Sequence, residues 1–159
     1  MRPQGNRAER WGPTLLVASA FVVYFIMSRP ASAPAGWGSD FDSALREALD
    51  TRKSVVVAFY SEGCPPCAAM DRSVLGTDAV RRGLSGFVPV RVNVALRPEL
   101  ARRYQVFATP TYAVVDAVGR LTARTEGYIA VEEFTAFLER ASAASRGPIS
   151  TAEPRPTGP

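Results

Sequence analysis

The sequence predicts an α/β domain in which a mixed central β-sheet is flanked by helices. "SVVVAFY" (Ser54 to Tyr60) is a continuous β-branched and aromatic run, too short for a helix ending at Gly63, and reads as a buried strand. "FVPVRVNV" (Phe87 to Val94) alternates and reads as a second strand, with Pro89 arguing for a strand start or a sheet edge. "TYAVVDAVGRLTARTEG" reads as strand, turn at Val118-Gly119 and strand, a hairpin. Strands that first alternate with helices and then pair antiparallel require a mixed sheet.

The helices follow from caps and periodicity. Ser39 or Asp40 can cap a first helix with Phe41, Leu45, Ala48 and Leu49 on its inner face and Asp42 and Glu47 outward. A second helix begins at the cysteine pair, runs through Ala68, Ala69, Met70 and Arg72, pauses near Gly76 and resumes from Asp78 to Leu84. A short helix from Pro98 to Tyr104 opens with proline in its first turn. Val131 to Ala144 closes the domain as an amphipathic helix. Val131, Phe134, Phe137 and Leu138 face inward, acids stand in the first turn and Arg140 stands in the last.

The 159 residues, 47% hydrophobic and 21% charged, provide for one globular domain plus appendages, a composition that needs no disulfide to fold. The formal charge of +4 is concentrated at the N-terminus: Arg2, Arg7, Arg10 and Arg29 against Glu9 give +3 before Gly36, leaving +1 for the rest. No basic face remains for nucleic acid, which is not expected as a partner. The chain has no histidine, which removes Ser-His and Cys-His catalysis and His-containing zinc sites.

Residues 1–35 read as a signal peptide or an N-terminal membrane anchor plus linker. A basic start, the uncharged apolar run Thr14 to Met27 and a small, proline-rich stretch follow one another in secretory order. The apolar run is shorter than the about 20 residues of a spanning helix, with Trp11 and Ser28 available to extend it at the interfaces. Ala31-Ser32-Ala33 has a cleavage-site form but is followed by Pro34; Ala33-Pro34-Ala35 is the alternative. Both outcomes, uncleaved anchor or cleaved export, place the domain of residues 36–145 outside the cytoplasmic membrane, where disulfides persist. Residues 146–159, with four prolines and no apolar periodicity, read as a disordered tail.

Cys64 and Cys67, the two cysteines of the chain, stand in "FYSEGCPPCAAM" where strand gives way to helix. The pair fits a redox centre, half of a metal site or a structural disulfide. A soft-metal site such as Cu(I) on the two thiolates lacks a histidine or a well-placed methionine as third ligand, and Met70 reads as core. No metal and no cofactor is assigned.

With Thr109-Pro110 entering the hairpin, this C-x-x-C pair resembles the thioredoxin fold. Lys53 to Val94 resembles the thioredoxin-like group that includes the periplasmic C-terminal domain of transmembrane thiol-disulfide interchange proteins. Tyr104 to Tyr128 carries the family's helix end, Val-x-x-Thr-Pro, strand, Gly-containing turn, strand and Gly-Tyr. The resemblance spans roughly Asp40 to Ala144 and implies an exported thiol-disulfide oxidoreductase acting on protein thiols and disulfides.

Cys64 at the helix N-terminus is then the nucleophile, because amide donors and the helix dipole favour its thiolate. Cys67, one turn on, resolves the mixed disulfide. Pro65 and Pro66 stiffen the turn but donate no backbone hydrogen bond, which leaves the Cys67 N–H. The resemblance implies that Pro110 is cis and that Thr109 and Pro110, with Gly63 and Pro65, hold a substrate chain beside the cysteines in strand-like pairing.

Two positions depart from the family. Gly63 stands where many relatives carry tryptophan. Ala58 stands where thioredoxins carry a buried acid that helps deprotonate the resolving cysteine, and Glu62 is the nearest carboxylate in sequence and the candidate proton acceptor. A reductase drawing electrons from a transmembrane thiol donor is preferred to an oxidase, while the Gly-rich insertion followed by Pro-Glu-Thr of cytochrome-maturation reductases is not seen. The alternatives are a non-catalytic thioredoxin-like binding or scaffold module and, behind it, a Cu(I) carrier.

Overall fold

The computed structural model of the chain describes residues 33–146, with Ser19 and Phe21 alone before them. The remainder of the apolar run Thr14 to Met27, the sequence before it and the tail from residue 147 lie outside the described residues. Among the described residues no helix is long and apolar enough to cross a membrane.

The first helix, α1, spans Phe41–Thr51. Asp40 caps it, its Oδ1 accepting from the Ser43 N–H at 2.9 Å. Its buried stripe is Phe41, Ala44 and Ala48, with Leu45 packed alongside. Leu49, expected inward, is 54% exposed. Side chains advance about 100° per residue, so Leu49 lies roughly a quarter turn from the centre of that stripe, and Ala44 takes the inner place.

Strands β1 (Ser54–Tyr60), β2 (Phe87–Asn93), β3 (Thr111–Val115) and β4 (Leu121–Glu126) form one sheet in the order β2-β1-β3-β4. β1 runs parallel to β2 and antiparallel to β3, and β4 is antiparallel to β3. Pro89 lies mid-strand but on the edge: its carbonyl accepts from the Gly38 N–H at 3.0 Å on the side away from β1. The nitrogen of a strand residue points to the same side as its carbonyl, so the missing N–H breaks no ladder bond with β1.

The continuous apolar character of β1 follows from burial on both faces. Val56 and Ala58 pack with Met70, Val74, Leu75, Tyr112 and Phe134 on one side; Val55, Val57 and Phe59 pack with Phe41, Leu100 and Tyr104 on the other. The first layer is closed by α2 (Pro65–Met70), α3 (Asp78–Gly83) and α5 (Val131–Arg146), the second by α1 and α4 (Pro98–Arg103). In α5, Phe134, Phe137 and Leu138 are buried, Val131 packs at the margin, and Phe134 meets Tyr112 edge-on at 5.0 Å. After α2 the chain continues as a π-helical segment, Asp71–Leu75, that buries Val74 and Leu75. Apolar periodicity does not distinguish this wider turn from an α-helix.

The β3–β4 turn is tied to α4 through Gly119, whose carbonyl accepts from the buried Tyr104 hydroxyl at 3.0 Å and from Arg103 Nη2 at 3.1 Å. Gly119 has φ 79°, and a Cβ there would lie 3.1 Å from Arg103 Nη2 and 3.4 Å from the Tyr104 hydroxyl. Gly119→Ala is therefore expected to cost about 1–3 kcal/mol, read as a lower denaturation midpoint at unchanged slope. An unshifted midpoint would show that the turn absorbs the side chain.

Candidate active site

β1 delivers the chain to the site and a glycine turns it. Gly63 has φ 68°, a left-handed conformation that L side chains rarely adopt, and no atom lies within 4 Å of where its Cβ would be. The glycine thus answers a backbone requirement in the turn. Cys64 follows in extended conformation as the N-cap of α2, with Pro65 and Pro66 in the first helical positions. Neither proline carries an amide proton, so the Cys67 N–H is the donor from this turn and reaches Cys64 Sγ at 3.2 Å.

Cys64 and Cys67 form a disulfide with their Cα atoms 5.3 Å apart. Cys64 is half-buried and Cys67 buried, an asymmetry that leaves the first sulfur accessible to a partner and the second sheltered by the core. The segment before β3, the strand next to β1, reaches the site through a cis Thr109-Pro110 peptide bond. Thr109 presents its carbonyl oxygen 3.7 Å and its hydroxyl 3.6 Å from Cys64 Sγ. In the disulfide Cys64 has no proton, so the hydroxyl is the donor here; once the bond is reduced the carbonyl can accept from the thiol. The Thr109 hydroxyl also lies 2.9 Å from the Ser61 hydroxyl. Pro110 is buried and its carbonyl accepts from the Gly127 N–H at 2.8 Å.

Of the residues singled out from sequence, Cys64, Cys67, Thr109, Pro110, Gly63 and Pro65 come together at this corner. Glu62 is exposed on the turn before Cys64. Phe107, two residues before Thr109, and Tyr128, next to Gly127, are exposed aromatics at the ends of the segments that hold Pro110.

On the sheet face that carries Ala58 lies a buried ion pair not anticipated from the sequence. Arg91 of β2 and Tyr112 of β3 are the register partners of Ala58 in β1, so the three side chains share one face of the sheet in one row. Asp71, which opens the π-helical segment, meets Arg91 at 2.7 Å, and the two side chains are only 7% and 9% exposed. Arg91 also stacks over the Tyr60 ring at 4.2 Å, while its Nε has no partner among the described residues. Burial raises the Asp71 carboxyl above the usual aspartate range, against the opposing pull of Arg91 and Arg72. Burial, reinforced by the Asp71 charge, likewise raises the Tyr112 phenol. The sheet face beside Ala58 thus carries charge although Ala58 does not, supplied by the helical segment after Cys67 and the neighbouring strand. Asp71 stands four residues after Cys67, about one helical turn on, and that spacing is the one sequence signal that points to it, though not to its partner Arg91.

A disulfide whose first cysteine caps the helix after a buried strand, with the cis Thr109-Pro110 segment against its sulfur, defines a thiol-disulfide exchange centre of the thioredoxin type. The chain matches the family model for a thioredoxin-like domain over residues 41–142 and belongs to that family. It is 30% identical over 118 residues to the thiol:disulfide interchange protein DsbD of Ralstonia nicotianae and 31% identical over 106 residues to that of Vibrio cholerae. Those matches cover 71% and 63% of this chain but only 19% and 18% of the two relatives. Among solved structures, a thioredoxin from Thermus thermophilus superposes with a TM-score of 0.63 at 33% identity, covering 72% of this chain and 91% of that one. The C-terminal domain of Neisseria meningitidis DsbD in its oxidised form gives 0.55 at 25% identity, covering 66% and 98%.

Proposed function

We propose that the chain is an exported thiol-disulfide oxidoreductase that exchanges disulfides with protein substrates, working in the reductase direction. The observation that carries this reading is the accessible Cys64 sulfur held between the Cys67 N–H and Thr109 beside the cis Pro110. In the reduced protein the Cys64 thiolate attacks a substrate disulfide: the substrate S–S bond breaks, a Cys64 mixed disulfide forms and one substrate thiolate leaves. Cys67, deprotonated, then attacks the Cys64 sulfur, restoring the Cys64–Cys67 disulfide and releasing the second substrate thiolate. Two electrons pass from the dithiol to the substrate, and the two thiol protons end on the substrate thiols.

Each turnover leaves the pair oxidised, so a reductase needs a dithiol donor; a transmembrane thiol carrier would fill that role, and the similarity to thiol:disulfide interchange proteins supports a thiol partner. The secretory order of residues 1–35 supports an extracytoplasmic domain, either membrane-anchored or released, with 36–145 as the working domain and 146–159 as a tail. Thr109, Pro110, Gly63 and Pro65 would line the substrate chain, and water or Glu62 would take the Cys67 proton.

Equilibration with glutathione tests the direction. A reduction potential well below about −200 mV fits the reductase, and one near the about −120 mV of strong oxidants reverses it. Alkylation of the reduced protein across pH tests the chemistry: a Cys64 that titrates at the ordinary thiol value of about 8.5 would instead indicate a binding module with a structural disulfide.

A further inference from the structure

We propose that Ser61 is a positioning residue for Cys64, acting through the Thr109 hydroxyl, so that the two hydroxyls form a donor chain that stabilises the Cys64 thiolate. This deepens the exchange function proposed above and rests on it. Cys64 Sγ has three polar neighbours among the described residues: the Cys67 N–H at 3.2 Å, the Thr109 hydroxyl at 3.6 Å and the Thr109 carbonyl at 3.7 Å. With prolines at 65 and 66 the helix end offers one amide where an ordinary turn offers more, and the Thr109 hydroxyl supplies the second donor.

Thr109 therefore faces the sulfur with opposed groups. Its carbonyl can accept only from the thiol and favours the protonated form; its hydroxyl can donate to the thiolate and favours the ionised form. A hydroxyl has one proton. If Thr109 gives that proton to Ser61, the thiolate loses its donor; if Ser61 donates to Thr109, the Thr109 proton is left for sulfur. The 2.9 Å Ser61–Thr109 contact is compatible with either direction while the cysteines are bridged. The negative sulfur formed on reduction selects the second, and a donor that itself accepts a hydrogen bond donates more strongly. Both hydroxyls are half-buried, which limits replacement of Ser61 by water. The charged groups of the surrounding elements are Glu62, exposed on the preceding turn, the buried Asp71–Arg91 pair with exposed Arg72 after α2, and the Arg124–Glu126 pair of β4, whose Glu126 is the register partner of Thr111; a change at Ser61 removes none of them.

The test is the pH dependence of iodoacetamide alkylation at Cys64 in the reduced full-length chain, for wild type, Ser61→Ala, Ser61→Thr, Thr109→Val and the Ser61→Ala/Thr109→Val double variant. Thr109→Val, which keeps the shape and removes the donor, is expected to lower the thiolate fraction near neutral pH about tenfold. Ser61→Ala is expected to lower it roughly two- to threefold, and Ser61→Thr to restore it. In the Thr109→Val background Ser61→Ala should have no further effect, an absence that general loosening of the site would not produce. An unchanged titration in Ser61→Ala, or the same shift with and without the Thr109 hydroxyl, overturns the inference. Glutathione equilibria of the same variants provide a second readout, with Ser61→Ala expected to become less oxidising in step with its loss of thiolate stabilisation. Wild-type Cys64 at an ordinary thiol value that Ser61→Ala raises further would spare the hydroxyl chain and count against the exchange function, so the two failures are distinguishable.

Discussion

Cys64→Ser is expected to bring disulfide exchange down to the protein-free background, whereas Cys67→Ser keeps the first chemical step and loses the second. The difference follows from geometry. Cys64 is the half-buried sulfur with two donors aimed at it, so its loss removes the attacking atom. Cys67 is buried and, besides its sulfur in the disulfide, gives Cys64 a hydrogen bond from its backbone N–H; a serine there removes the resolving sulfur, retains that amide and lets a mixed disulfide form and persist. Non-reducing electrophoresis of the Cys67→Ser protein mixed with a disulfide-bonded substrate checks this. A thiol-sensitive adduct at the summed mass is expected, and its absence with Cys64 intact and reduced would refute the attack by Cys64. An adduct in Cys64→Ser would assign the nucleophile to Cys67.

The second large effect concerns stability. Asp71→Ala leaves Arg91 charged and buried, with its Nε already unpartnered, and is expected to cost about 3–5 kcal/mol. Arg91→Met in the same protein removes the stranded charge and should recover most of that loss, since a buried pair replaced by apolar side chains is often neutral in stability. The double-mutant cycle, run by denaturant unfolding with the disulfide intact, measures the coupling; additive losses would show that the two side chains do not act as a pair. The pH dependence has a definite sign. The folded-state pKa of Asp71 is raised by burial, so the part of stability linked to its protonation is fully present below the ordinary aspartate value and declines as pH rises through the raised one, whatever the pairing with Arg91 recovers. Asp71→Asn should flatten that slope, and a profile as steep as wild type would remove Asp71 as its source.

Much of the molecule is legible in its local sequence patterns. The β1 span Ser54–Tyr60 follows from an apolar run too short for a helix and bounded by a turn. The hairpin follows from two strand-like runs on either side of the Val118-Gly119 turn, and the inner face of α5 from the spacing of Phe134, Phe137 and Leu138. The C-x-x-C pair and Thr109-Pro110 were legible because each is a local pattern with its own chemistry. Leu49 faces outward although its spacing predicts the inner face, because a hydrophobic residue at the margin of a stripe does not declare its side. The π-helical segment escaped notice because its side chains repeat almost as those of an α-helix.

The functional detail that escaped is of one kind. Ser61 and Thr109 stand 48 positions apart and Asp71 and Arg91 stand 20 apart, and nothing local to any of them indicates its partner. Ala58, read by itself, implied a site without a buried acid; the register of three strands brings Arg91 and Tyr112 beside it, and the helix turn after Cys67 brings Asp71. Periodicity, capping and the C-x-x-C spacing operate within a turn or a strand, so the sequence alone determined the elements and the reactive pair. Which donors and charges surround that pair depends on pairing between distant strands and on the packing of a helix across them. Only the tertiary structure decided those contacts.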